Sequence, residues 1–246
     1  MDVIKVEGIA YSIGGSRIID GISFTGSLDK FVSIIGPSGC GKSTLLRIMA
    51  GLIKPDSGEV LYKGRRILEP ISEVSFVFQD FGLLPWLTNA ENVKLGLSAT
   101  NMSDDQKTER AEELLKQFKL DGFEDSYPNV LSGGMRQRIG VARAIASKPK
   151  VLLMDEPFSS LDELTASTLR AEIVSLLKGK NISVNSVIMV THNVEEAVEL
   201  SDKIVILSNK PSRVIDIKSV GMRYPRDRHD KKFMDLVDYI YKALTG

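Results

Sequence analysis

Nine consecutive residues, Gly36-Pro37-Ser38-Gly39-Cys40-Gly41-Lys42-Ser43-Thr44, constrain this chain more than any others. They fit G-x-x-x-x-G-K-[ST], a pattern that carries weight only between a strand and a helix. Phe31 to Ile35 supplies the short apolar strand, and Thr44 to Ala50 the helix. Glycines let the backbone curl so that successive N–H groups face one phosphate cluster, and the helix N-terminus adds positive potential. Lys42 is placed to reach the β- and γ-phosphates, and the Ser43 hydroxyl to ligate Mg²⁺. From average residue usage a chance match arises in roughly one such chain in a hundred. Nucleotide binding is therefore the primary expectation.

Composition narrows the class. With 43% hydrophobic and 26% charged residues over 246 positions, the chain has an ordinary globular make-up. Lys+Arg and Asp+Glu are both 32, so no general affinity for nucleic acid or anionic membrane is expected. The single cysteine, Cys40, allows no intrachain disulfide and fits a reducing compartment. Near a helix N-terminus it also admits a redox-sensor reading. No signal peptide opens the chain, and no apolar run approaches the ~20 residues of a membrane span. A soluble, cytoplasmic protein is expected.

Val3 to Ile9 and Ile18 to Phe24 read as strands about a Gly14-Gly15 turn. Tyr11, at the end of the first, suits a half-buried sheet position and an adenine-stacking platform equally. Glu59 to Tyr62 and Val74 to Phe78 are the next strands. Gln79, just past the second, falls where ligands bind in open α/β sheets. Phe81 to Leu87 is apolar and irregular and carries Trp86, the one tryptophan. It fills a core or docks a partner, and Gly82 and Pro85 favour the second. Thr88 to Glu91 and Ser103 to Gln106 are capping boxes, opening helices to about Leu97 and Phe118. The segment 88–146 therefore reads as a helical insertion. Ser132 caps a helix from Met135 to Ala146, and Gly133 and Gly134 would expose N–H groups there. That end is a second anion site or, more economically, only a capped helix.

Val151 to Met154 is a buried strand delivering Asp155 and Glu156. Beside a phosphate loop, Asp155 suits the Mg²⁺ shell and Glu156 the attacking water. Ser159 to Asp162 precedes a helix running to about Lys178, and a buried strand from Ser186 to Val190 then leads into Thr191-His192-Asn193. Asn193 and Glu196 cap the next helix. Lys203 to Leu207 and Arg213 to Ile217 read as edge strands, Arg223 to Lys232 as solvated surface, and Asp235 to Leu244 as a closing helix.

Taken together, Tyr11, the phosphate loop, Gln79, Leu131-Ser132-Gly133-Gly134, Asp155-Glu156, Ser160-Leu161-Asp162 and His192 resemble the ATP-binding subunit of an ABC transporter. Leu84 to Leu87 and Lys210 to Val214 resemble the nitrate/sulfonate/taurine importer branch. The resemblance implies an α/β fold: a RecA-like P-loop NTPase core with an N-terminal antiparallel β-subdomain and the helical insertion, all within one domain, 1–246. It implies ATP and Mg²⁺ as cofactors, with Ser43, Gln79 and Asp155 on the metal. Glu156, His192, Gln79 and Lys42 are the implied catalytic residues. Tyr11, Gly36 to Thr44, and Ser132 to Gly134 of a second copy bind the nucleotide in a head-to-tail homodimer. Asp162 would communicate across that dimer. An integral membrane permease meeting Phe81 to Leu87 on the inner membrane face, and an extracytoplasmic substrate-binding protein, complete the implied system. Import is expected because the chain carries no spans of its own. The stretch after His192 is too short for the regulatory domain of sugar-importer subunits.

Two other classes compete. Signature-bearing ATPases of chromosomes or ribosomes carry long coiled coils or tandem cassettes, which are missing here. A P-loop kinase has no use for Ser132-Gly133-Gly134 or Glu156.

Overall fold

The computed structural model of the chain describes residues 2–28, 30–159, 162–177 and 183–245. Ser160, Leu161 and Lys178 lie outside them. The elements run β1 (Asp2–Ile13), β2 (Ser16–Ser27), β3 (Lys30–Ile35), α1 (Lys42–Met49), β4 (Ser57–Tyr62), β5 (Arg65–Arg66) and β6 (Val74–Val77). Next come α2 (Asn89–Lys94), α3 (Asp104–Gln117), α4 (Gly133–Ile145), β7 (Val151–Asp155) and α5 (Glu163–Leu177). The order closes with β8 (Ser186–Thr191), α6 (Val194–Leu200), β9 (Lys203–Leu207), β10 (Val214–Ser219) and α7 (Lys231–Thr245). They fall into two compact units. One comprises Met1–Ile71, Leu153–Glu156 and Asn185–Gly246; the other Ser72–Leu152 and Pro157–Val184.

The first unit holds two sheets. The order β2-β1-β4-β5 is antiparallel throughout. Its first hairpin is closed by Gly14 and Gly15, both at positive φ, between the paired Ile13 and Ser16. Two left-handed residues in a two-residue loop match the twist of the flanking strands, and glycine adopts them without steric cost. The other sheet runs β10-β9-β3-β8-β7, with β3 parallel to both β8 and β9. Parallel strands covered on both faces read as unbroken apolar runs, and all six residues of β8 are buried. The same logic corrects one expectation. β9 is not an edge strand, since it lies between β10 and β3 with four of its five residues buried. Of the two, only β10 is an edge strand.

Helix α7 starts four residues earlier than its sequence pattern suggests. Its stripe Phe233, Val237 and Ile240 joins Val194, Ala197 and Val198 of α6 over Ile35, Ile204 and Ile206. Each side chain so buried contributes about 1.5–3 kcal/mol. The preceding segment is likewise not all solvated surface. The Arg226 side chain is only 2% exposed and donates to the carbonyls of Met222, Val198 and Glu199. It satisfies the last carbonyls of α6, where a cation is electrostatically welcome.

The second unit is mainly helical, with a 3₁₀ turn at Leu95–Leu97 and another at Pro128–Val130. Both capping boxes form: Thr88 with Glu91 at α2, and Ser103 with Gln106 at α3. Ala111, Leu114 and Leu115 face inward from α3. Strand β6 sits where the Glu73 carbonyl accepts the N–H groups of Lys150 and Val151. Among the described residues, no helix is long and apolar enough to cross a membrane.

Candidate functional site

In the first unit the nine-residue stretch runs from the end of β3 into the first turn of α1. Gly41, the N-cap of α1, sits at φ 102°, and a Cβ there would meet Ile18 Cγ2 at 2.8 Å. Both conformation and space demand glycine. Lys42 is 5% exposed and its Nζ donates to the carbonyls of Gly36 (2.8 Å) and Pro37 (3.0 Å). The ammonium therefore folds back onto the carbonyls of its own loop. Ser38 and Gly39 form the exposed rim, and Thr44 is half-buried in the first turn of α1. Cys40 is 1% exposed, and burial pushes its thiol above the usual value, with Lys42 opposing. A sheltered, protonated thiol is a poor redox sensor, so the structure removes that reading.

Strand β7 ends beside this loop. Ser43 Oγ donates to Asp155 Oδ1 at 2.7 Å, and Asp155 is 1% exposed. Burial raises the Asp155 carboxyl above its ordinary range. The Ser43 hydrogen bond and Arg47, whose Nη2 is 4.0 Å from Oδ2, pull it down less. A buried carboxylate short of positive charge, with a hydroxyl at hand, is the oxygen donor set a hard divalent cation requires. These residues fit Mg²⁺.

Glu156 follows with φ 44°, an unusual conformation for a residue carrying a Cβ. Its N–H donates to the Val190 carbonyl at 3.1 Å, and its Oε2 lies 3.0 Å from His192 Nδ1. The dyad is partly open to solvent, with side-chain exposures of 17% for Glu156 and 55% for His192. The turn carrying His192 is held from below: Thr191 Oγ1 donates to the buried Glu196 carboxylate and accepts the Asn193 N–H. Asn193 caps α6 by accepting the Glu196 N–H, but the reciprocal half of the expected box is absent, because Glu196 turns to Thr191 instead. Sequence reading missed this Thr191–Glu196 pair and Arg47. Tyr11 stands half-buried on β1, paired with Ile19 of β2.

The remaining predicted residues belong to the second unit. Gln79 is exposed just past β6. Ser132 caps α4 by accepting the Met135 N–H at 3.3 Å. Ser132 is exposed and Gly133 half-exposed, but Gly134 is buried, its Cα facing Thr165 and Leu169. The exposed rim is thus shorter than two open glycines would make it. Asp162 caps α5 by accepting the Thr165 N–H. The apolar loop divides: Phe81 is 5% exposed against Gly140, whereas Trp86 is 69% exposed. Phe81 is core, which removes it from the docking surface expected of Phe81 to Leu87.

A glycine-rich loop feeding a helix, an acidic strand end and a Glu–His dyad in one α/β unit define a P-loop ATPase. The chain belongs to the ABC transporter family, whose model matches residues 19–159. It is an ATP-binding cassette ATPase. An uncharacterized ABC transporter ATP-binding protein of Methanocaldococcus jannaschii is 39% identical over 94% of this chain and 87% of the relative. The aliphatic sulfonates import ATP-binding protein SsuB of Bacillus cereus is 40% identical over 91% of this chain and 86% of its own. Among solved structures, a dimeric, post-hydrolysis ATP-binding cassette bound to ADP and Pi aligns with TM-score 0.75 and 31% identity, covering 89% of this chain and all of that one. A subunit of the cbiONQ ABC transporter complex of Clostridium perfringens aligns with TM-score 0.78 and 26% identity over 89% and 90%.

Proposed function

We propose that the chain energises an importer of small oxyanionic solutes of the sulfonate, taurine or nitrate kind. The observation that carries this reading is the 40–41% identity, over 91% of the chain, to ATP-binding proteins of aliphatic sulfonate importers. In this reading the whole of 1–246 is one ATPase domain, with 88–146 as its helical subdomain. Two copies pair head to tail, a solved cassette of this fold being itself dimeric, and the protein sits on the cytoplasmic face of the membrane beside its permease. A substrate-binding protein outside the membrane delivers the solute. Trp86 and its exposed neighbours form the permease contact.

Within the dimer, Gly36 to Thr44 wraps the phosphates and Tyr11 stacks on adenine. Ser132, Gly133 and Gly134 of the second copy close on the γ-phosphate. Ser43, Gln79 and Asp155 would hold Mg²⁺, which neutralises charge developing on the β- and γ-oxygens. Lys42 binds the same oxygens from the protein side. Glu156 orients the attacking water and takes its proton, and His192 holds the Glu156 carboxylate in place. The work is positioning and charge stabilisation. ATP differs from ADP by the group that reaches the second copy's signature, so it favours the closed dimer by its differential affinity.

The deciding experiment reconstitutes the chain with its permease and binding protein in proteoliposomes. ATP-driven uptake of an alkanesulfonate, taurine or nitrate is the expected result. ATP turnover with no uptake of any oxyanion, alongside uptake of an uncharged or cationic solute, would overturn the substrate class.

A further inference from the structure

Phe81 and Gly82 follow Gln79 by two and three residues, and both adopt positive φ, 62° and 54°. Glycine takes this conformation freely. Phenylalanine does not, and such a residue persists only where its surroundings dictate it. They do so from three sides. The Phe81 ring is buried against Gly140, where an added Cβ would lie 3.0 Å from Phe81 Cβ. Asp80 Oδ1 accepts the Gly82 N–H at 3.1 Å. The Arg143 guanidinium donates through Nη2 to the Phe81 carbonyl and through Nη1 to the Gly82 carbonyl at 2.7 Å. Two adjacent carbonyls are thus gripped by one planar fork, a geometry that lysine cannot reproduce.

The far end of the loop is gripped as closely. Asn92 of α2 is fully buried and accepts the Leu84 N–H at 2.8 Å. Its amide donates to the carbonyls of Leu84, Leu87 and Thr88 at 3.0–3.1 Å. Arg143 and Asn92 thereby fix both sides of Trp86, which itself stays exposed. The carrier is stiff as well: a Cβ at Gly96, after α2, would meet the Arg143 carbonyl at 2.0 Å, so the 3₁₀ turn and α4 touch backbone to backbone.

We infer that Arg143 and Asn92 are positioning residues that make the loop 79–88 a rigid extension of α4 and α2. Residues at the start of α4 and the loop flanked by Gln79 and Trp86 then move as one body. A displacement of Ser132 is delivered to Gln79 and Trp86 without slack. The catalytic part of this inference rests on the proposed role of Gln79; the mechanical part does not.

Trp86 is the only tryptophan in the chain, so its fluorescence reports this loop alone. Time-resolved anisotropy of Trp86, ATP turnover and thermal melting are measured together for wild type, Arg143→Met, Arg143→Lys, Asn92→Ala and Gln79→Ala. Leu115→Ala, buried in α3 and outside the loop, serves as a destabilised control. Arg143→Met should at least double the amplitude of fast Trp86 motion. Loss of alignment at a reacting centre can cost up to about a hundredfold, so kcat should fall roughly tenfold or more while KM for ATP moves less than about twofold. Arg143→Lys should restore part of each. Unchanged Trp86 motion in Arg143→Met overturns the clamp. Equal changes in Leu115→Ala, at equal loss of melting temperature, overturn it too. Free Trp86 motion with normal turnover, where Gln79→Ala is inactive, overturns the catalytic coupling. Normal turnover in Gln79→Ala itself removes only the role given to Gln79 and leaves the clamp standing on the anisotropy.

Discussion

His192 Nδ1 and Glu156 Oε2 stand 3.0 Å apart, joined across the ends of two strands of one sheet. The contact orients a carboxylate whose backbone is already in the left-handed region. His192→Ala should therefore loosen the carboxylate's orientation while leaving the phosphate loop in place. Turnover should fall by about 10²-fold or more, at the scale of general acid–base catalysis, with KM for ATP nearly unchanged. Glu156→Gln should bind ATP and stall. Steady-state turnover and nucleotide affinity of the two variants check this, and near-wild-type turnover in either would remove the dyad from the mechanism.

Asp155→Asn separates stability from function. The native carboxylate is 1% exposed with one hydroxyl donor at hydrogen-bond distance and a cation only at 4.0 Å. Burying a charge so weakly compensated is costly, whereas an amide of the same shape is not charged. Melting of the nucleotide-free variant should match or exceed wild type. The extra stabilisation by ATP with Mg²⁺ should be lost, and differential scanning calorimetry with and without Mg²⁺ reads both.

Trp86→Ala tests the exposed half of the apolar loop. A side chain 69% exposed contributes little to its own fold, so melting should change by no more than the ~0.5 kcal/mol of an ordinary surface site. Basal ATP turnover should persist. Retention on permease-containing membranes should fall, because aromatic anchors at interfaces carry roughly 2 kcal/mol or more. A large loss of melting temperature with retention intact would place Trp86 in the core instead.

One pH effect follows from the edge strand. Hydrogen bonds from Tyr239 and then Lys218 hold the Asp216 carboxyl at about 2, well below its usual value. A depressed folded pKa means stability that is present above the unfolded value, near 4, and is lost as pH falls toward 2. Tyr239→Phe removes the largest cause. Urea midpoints between pH 5 and 2 should start lower in the variant and depend less on pH; parallel curves would show that the bond contributes nothing.

The parts legible in the chain were those whose physics is local. Thr88 with Glu91 and Ser103 with Gln106 form their boxes because cap and partner are three residues apart and nothing else competes. The phosphate loop is readable for the same reason. Asn193 and Glu196 have the same spacing, yet Thr191 takes the carboxylate, because the strand end brings a hydroxyl that spacing alone does not reveal. The central place of β9 between β10 and β3 is not local, because it depends on pairing with a strand about 170 residues earlier. Arg226 and Arg143 escaped notice because charge in a sequence suggests water, while their donors end on backbone carbonyls.

The left-handed backbone at Glu156 gives that position a second identity. The proposed mechanism asks for a carboxylate there, whereas the conformation, at φ 44°, would be most at ease with glycine. Replacing Glu156 by glycine should relax the strand end, so that losing the proposed base and gaining robustness become one event. A drift toward stability at this residue is a drift toward silence. It follows that a β-branched replacement, which adds a steric conflict of its own, would report on backbone strain rather than on the missing carboxylate. Among inactive variants, only glutamine keeps the two apart.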